Sequence, residues 1–212
     1  MQTIALIDYG SGNLRSADKA LWEAARRLGG LREIRATCDP DFVAAADRVV
    51  LPGVGAFAAC MRALSARDGL IEAMTTAVRR GAPFLGVCVG MQLLASRGLE
   101  FGETRGLGWI PGDVAVIHPN DPKLKVPHMG WNTLRAETPH PLFAEAAGRD
   151  FYFTHSFAFT PSNSKDVAVS VDHGGRFAAA VVKDNLAGVQ FHPEKSQASG
   201  LDLIGRFLEW KP

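Results

Sequence analysis

Cysteine is scarce. The three present, Cys38, Cys60 and Cys88, are too few and too widely spaced for a disulfide framework or a Cys-x-x-Cys metal pair. Their number fits a reducing cytosol. Charge of one sign is also missing: 23 Lys and Arg stand against 22 Asp and Glu, for a formal net charge of +1. That balance gives no ground for a nucleic-acid or anionic-membrane partner. No apolar run is long enough to span a bilayer. The first residues, from Met1 to Asp8, lack the basic start and apolar core of a signal peptide. Gly10-Ser11-Gly12 lacks the third glycine of a dinucleotide fingerprint, and no phosphate loop is found. Repeats, low-complexity tracts and linkers are absent too. What remains is a chain of 212 residues, 47% hydrophobic, enough for one sizeable domain over residues 1–212.

Hydrophobic periodicity divides the chain into two styles. Residues 3–7, 31–36, 48–51 and 84–87 read as strands. Between them, Leu14, Ala17, Leu21, Ala24, Ala25 and Leu28 recur at helical spacing, and residues 56–64 and 70–80 also read as helical. Strands alternating with helices imply βαβ units and a parallel sheet. Beyond residue 110, short strands dominate: 114–118, 133–136, 151–159, 167–171, 177–183 and 186–191. A hairpin is expected across Asp172-His173-Gly174-Gly175, and residues 201–210 read as a final amphipathic helix. The expected fold is α/β, a central mixed but mostly parallel sheet with helices on both faces.

One turn stands out, Gly86-Val87-Cys88-Val89-Gly90, between an apolar run and Met91-Gln92-Leu93-Leu94-Ala95, which reads as the start of a helix. G-x-C-x-G is the thiol form of the nucleophile elbow, with glycines where a Cβ would strike backbone. The turn presents Cys88 at a helix N-terminus, where the dipole favours thiolate. A buried cysteine in a glycine-rich turn is the alternative.

A thiol nucleophile needs a base. Of the six histidines, only His192 has a carboxylate two residues on, in Phe191-His192-Pro193-Glu194-Lys195-Ser196. The residue before proline is pushed out of the helical region. In an extended segment, side chains at i and i+2 then point the same way. Glu194 can thus orient one ring nitrogen while the other faces a thiol. An ordinary strand-end salt bridge is the alternative. Cys88 and His192 do not make a four-ligand zinc site, and no metal or cofactor is expected.

These two motifs, in this order, resemble those of the class-I glutamine amidotransferases. Further blocks resemble the glutaminase subunits of imidazole glycerol phosphate synthases. They are Asp8-Tyr9-Gly10-Ser11-Gly12-Asn13-Leu14-Arg15-Ser16, Leu51-Pro52-Gly53-Val54-Gly55, Pro127-His128-Met129-Gly130-Trp131-Asn132 and Tyr152-Phe153-Thr154-His155-Ser156. The resemblance implies glutamine as substrate, with Cys88, His192 and Glu194 as the catalytic set. It implies oxyanion donors at Val89 and, in a switchable loop, Val54. Glutamine would be held by Gly53, Gly55, Gln92, Ser156 and the backbone of Phe157, where the family commonly has tyrosine. A capping role in the first turn is the alternative for Gln92. The partner implied is a (β/α)8-barrel cyclase of histidine biosynthesis. It would receive ammonia across an interface including Asn13, His128, Met129, Trp131, Asn132, Tyr152 and Lys195. Trp131 and Tyr152 could instead be core residues on strands.

Two other readings compete: another triad hydrolase on the same fold, such as the glutaminase of pyridoxal phosphate synthase or a cysteine peptidase, and a non-enzymatic protein that keeps a reactive cysteine. The opening block and Pro127-to-Asn132 argue against the first, and an intact His192-Pro193-Glu194 against the second. His118, His140 and His173 read as loop or turn residues, and His155 as a hydrogen-bonded core histidine. Cys38 and Cys60 read as buried or idle thiols.

Overall fold

The computed structural model describes residues 1–212. Its first half alternates strand and helix. β1 (Gln2–Ile7), α1 (Leu14–Leu28), β2 (Arg32–Thr37), α2 (Pro40–Ala45) and β3 (Arg48–Gly53) come first. α3 (Phe57–Ser65), α4 (Leu70–Arg79), β4 (Phe84–Cys88) and α5 (Val89–Gln92) follow. α1 buries Ala20, Leu21, Ala24 and Ala25, the stripe visible in the sequence, and ends at Gly29 with φ of 70°. α2, which the periodicity misses, is six residues long and is capped by Asp39, whose side chain accepts from the Asp41 N–H.

The second half contributes β5 (Arg97–Gly98), β6 (Thr104–Arg105), β7 (Gly112–Val116), β8 (His128–Thr133), β9 (Arg135–Ala136) and β10 (Asp150–His155). β11 (Phe157–Pro161), β12 (Val167–Asp172), β13 (Arg176–Lys183), β14 (Leu186–Val189) and α6 (Gln197–Glu209) complete the chain. Eight strands form the central sheet in the order β2-β1-β3-β4-β14-β13-β12-β9. It is parallel from β2 to β14 and antiparallel beyond, with the expected hairpin joining β12 to β13. From β1 the chain steps outward to β2, then crosses back to β3 and β4. Right-handed crossovers therefore put α1 on one face and α2 on the other. α6 packs with α1, and α2 with α4. The sheet is mixed with helices on both faces, as the periodicity predicts.

Two smaller sheets account for the departures. β11-β7-β5-β6 form one and β10-β8 the other. Residues 151–159, expected as one strand, are two: His155 closes the pairing with β8, and Phe157 opens the pairing with β7. The apolar alternation runs straight through Ser156, so it hides the change of sheet. The helix expected at Met91 is a single turn, α5. It is too short to carry much dipole, so the expectation that a helix N-terminus activates Cys88 is corrected. No helix is long and apolar enough to cross a membrane.

Backbone crowding fixes the elbow. A Cβ on Gly90 would lie 1.9 Å from the Leu51 carbonyl oxygen, and one on Gly86 would lie 2.4 Å from that of Gly90. β3, β4 and the start of α5 thus touch backbone to backbone. Gly90→Ala has no flexible side chain to displace. It is expected to destabilise the fold by about 2 kcal/mol or more, read from the urea midpoint.

Candidate active site

Cys88 ends β4 with φ of 55° and ψ of −113°, a conformation non-glycine residues rarely adopt. The strain turns its side chain out at the carboxyl end of the sheet, where open α/β folds place their sites. β14 ends alongside, since Val189 pairs with Val87. Three residues past that strand end stands His192.

His192 is buried, with φ of −101° and ψ of 97°, the extended geometry that the following proline imposes. Residues Pro193–Lys195 then form a 3-10 turn, so the extended segment expected as far as Glu194 is corrected. The tight turn achieves the same end: His192 Nδ1 lies 2.9 Å from Glu194 Oε1. The His192 N–H donates to the Tyr152 carbonyl at 2.9 Å, and the Ser196 hydroxyl donates to the His192 carbonyl at 2.6 Å. Backbone and ring are both held. His192 Nε2 is buried with no hydrogen-bond partner, which is uncommon for a polar atom outside a functional site. Burial opposes charge on the ring, but the pull of Cys88 and then Glu194 outweighs it, and the imidazole pKa is pushed up to about 9.

Cys88 and His192 line one cleft of about 390 Å³. Val54, Gly55, Val89, Gln92, Ser156, Phe157 and Lys195 line it too. So do Glu100, Pro127, Thr154 and His155, which the motifs do not mark as cleft residues. Gly53 is not among them. It is the last residue of β3, paired with Cys88, and a Cβ there would meet Gly90 nitrogen at 2.7 Å. Its smallness serves the close backbone packing beside Cys88.

The Val54 backbone is tied to Ser11 and Cys60. Its N–H donates to Ser11 Oγ at 3.4 Å, and its carbonyl accepts from the Ser11 hydroxyl at 2.8 Å and the Cys60 thiol at 3.3 Å. Cys60 is buried, as one of the two expected readings has it, and Cys38 is exposed. Val89 opens α5, where first-turn N–H groups have no partner within the helix.

Gln92 is buried, and its Nε2 donates to the Phe157 carbonyl at 3.1 Å and to Gln190 Oε1 at 2.9 Å. Only its carbonyl oxygen is left for a ligand, so the α-ammonium group of an amino acid suits it and a carboxylate does not. Gln190, fully buried, also places Nε2 3.8 Å from Cys88 Sγ. Sequence reasoning missed it. Its only signal was a polar residue inside the apolar run leading to His192.

The expected partner-facing residues separate by strand alternation. On β8, Met129 and Trp131 are 63% and 49% exposed, so Trp131 is not a core residue. His128 points the other way and is buried, stacked on His173 with ring centroids 4.2 Å apart. The expectation that His128 meets a partner is corrected. The Phe157 carbonyl can only accept, so His155 Nδ1 donates to it at 2.9 Å. His128 Nδ1 then donates to His155 Nε2 at 2.9 Å, and Asn132 Nδ2 to His128 Nε2 at 3.1 Å. Burial, then the neighbouring histidines, lower His128 to about 3 and keep it neutral. Tyr152 is half-buried, edge-on to Trp131 at 6.0 Å, with Lys195 Nζ 5.7 Å above its ring. Asn13, just before α1, is exposed. No group of three or more His, Cys, Asp or Glu side chains could hold a metal ion.

Comparison with known proteins bears on this site. The class-I glutamine amidotransferase family model matches residues 5–208. The imidazole glycerol phosphate synthase subunit HisH of Caulobacter vibrioides is 63% identical, with all of both chains covered. HisH of Rhodospirillum rubrum is 55% identical and HisH of Rhizobium meliloti 54%, each with 99% of both chains covered. Among solved structures, a glutamine amidotransferase superposes with a TM-score of 0.71 at 18% identity, covering 97% of each chain. A chain of PurLQS from Thermotoga maritima gives 0.69 at 18% identity, covering 98% of this chain and 96% of that one. These two speak for the fold alone. A sulfur and an imidazole lining one cleft at the end of a mixed sheet, and relatives matched over their whole length, lead to one conclusion: this chain belongs to the class-I glutamine amidotransferase family, among the HisH subunits of imidazole glycerol phosphate synthase.

Proposed function

We propose that Cys88, His192 and Glu194 hydrolyse glutamine, and that the ammonia passes to a (β/α)8-barrel cyclase that makes imidazole glycerol phosphate in histidine biosynthesis. The observation that carries this reading is the orphaned His192 Nε2 in the same cleft as Cys88, with Nδ1 on Glu194. The Cys88 thiolate attacks the side-chain amide carbon. The oxyanion forms against the Val89 N–H. His192 Nε2–H protonates the departing nitrogen, and ammonia leaves a γ-glutamyl thioester. His192 then takes a proton from water, whose oxygen attacks the thioester and frees glutamate. Glu194 keeps Nδ1–H oriented throughout.

The Val54 amide supports a resting state. Ser11 holds the Val54 N–H, so one oxyanion donor is missing, which costs a factor of about 10² to 10³ at comparable sites. Ser11 shares a loop with the exposed Asn13, so a partner docked there reaches the latch. Met129, Trp131, Tyr152 and Lys195 would complete the docking surface, and the three unpaired cysteines fit a cytosolic setting.

Glutaminase activity of the isolated chain is expected to be low and to rise about 10²-fold on adding the cyclase with its nucleotide ligand. Equal turnover with and without that partner contradicts the latch. Ser11→Ala raises the activity of the chain alone, whereas Trp131→Ala weakens cyclase binding at least about tenfold by titration calorimetry. For His192, the folded pKa of about 9 lies above the ordinary 6.5. Its contribution to stability is therefore fully present below about pH 6.5 and is lost as pH rises through about 9. Imidazole NMR should find His192 titrating near 9, and Cys88→Ala should lower that value, because burial then acts against Glu194 alone.

A further inference from the structure

Gln190 has no exposed surface, yet it carries a primary amide. It follows the last residue of β14, level with Cys88 at the end of β4. Burying an amide is costly unless both its ends are paired. Oε1 accepts from Gln92 Nε2 at 2.9 Å, and Nε2 donates to Cys88 Sγ at 3.8 Å. One backbone carbonyl forces these directions. Phe157 oxygen can only accept, so Gln92 must turn its NH2 group there, at 3.1 Å. The second N–H of that group reaches Gln190 Oε1, which leaves the Gln190 NH2 for the sulfur. Flipping either amide sets acceptor against acceptor or donor against donor. The Phe157 carbonyl is itself fixed by the His155 Nδ1–H at 2.9 Å.

We propose that Gln190 is a positioning residue for both ends of the reaction: it donates an N–H to the Cys88 sulfur, and it holds Gln92 with its carbonyl oxygen towards the cleft to accept the α-ammonium group of glutamine. The proposal rests on the reading of Cys88 as nucleophile. A thiolate is a better acceptor than a thiol, so a donor fixed beside the sulfur favours the charged form. The same side chain couples that donor to substrate orientation, because a single displaced amide would lose both.

The test is the pH dependence of Cys88 alkylation by iodoacetamide in the full chain, with Cys38 and Cys60 peptides separated by mass. Gln190→Met keeps the length and lacks the donor. It should move the Cys88 inflection up by about half to one pH unit with little change in the high-pH plateau. Gln190→Glu keeps an acceptor for Gln92. It should leave KM for glutamine in the cyclase complex within about twofold, while Gln190→Met raises KM several-fold. The Gln190→Glu carboxylate beside the sulfur should raise the inflection at least as far. Circular dichroism identifies which variants fold. An unchanged inflection in either folded variant, or equal KM in both, overturns the proposal. A wild-type Cys88 that alkylates with the same profile as the exposed Cys38 contradicts the nucleophile reading instead.

Discussion

A buried imidazole can hold a proton only where negative charge stands at its ring nitrogens, because burial alone favours the neutral ring. His192 has almost no solvent to stabilise its charge, so Glu194 on Nδ1 and the Cys88 sulfur near Nε2 must do so. Loss of either lowers the imidazole pKa, because burial then meets less opposition. In the proposed mechanism the chemistry depends on this balance, because the same ring would both steady the attacking sulfur and supply the proton that lets ammonia leave. The carboxylate also selects the tautomer: with Nδ1–H held, only Nε2 can exchange protons with the reacting atoms.

The scaffold makes that pairing possible by bringing backbones closer than side chains allow. Gly53, Gly86 and Gly90 let β3, β4 and α5 converge behind Cys88, and the strained Cys88 backbone is the consequence. On the other side, Tyr152 grips the His192 N–H through its carbonyl and lends its ring to Trp131 and Lys195. The residue that fixes the base is thus part of the surface that a partner would cover. A second line of contact runs from Ser11 to the Val54 peptide. The cleft is therefore bordered by two elements, each reaching from the outer surface to the reacting atoms.

Much of this was legible in the sequence for identifiable reasons. The elbow announced itself because glycine flanking a polar residue at a strand end has few other uses. The parallel half was readable because its inner strands β1, β3 and β4 are largely buried on both faces and alternate with amphipathic helices. His192 and Glu194 are neighbours in the chain, so their pairing needed no tertiary knowledge. What stayed hidden depends on contacts distant in sequence. Gln190 acquires meaning only when β14 lies beside β4. Residues 151–159 alternate without a break, so nothing local marks the switch of sheets at Ser156. His128 sits in a motif whose other members are exposed or half-buried, and only the alternation of β8 turns it inward to His155 and His173. The one-turn length of α5 was hidden because Met91, Leu93 and Leu94 are good helix formers whose burial under the sheet end overrides propensity.

Convergence of sulfur and imidazole on one substrate amide is the central claim, and covalent capture tests it most directly. A glutamine analogue bearing an electrophile at the side-chain carbonyl position should label Cys88 of the wild-type chain in complex with its cyclase, with the adduct located by peptide mass. Labelling should fall by orders of magnitude in His192→Ala, where the sulfur remains and its base is gone. Equal labelling of Cys88 in both proteins, or labelling at Cys38 or Cys60 instead, would contradict the account.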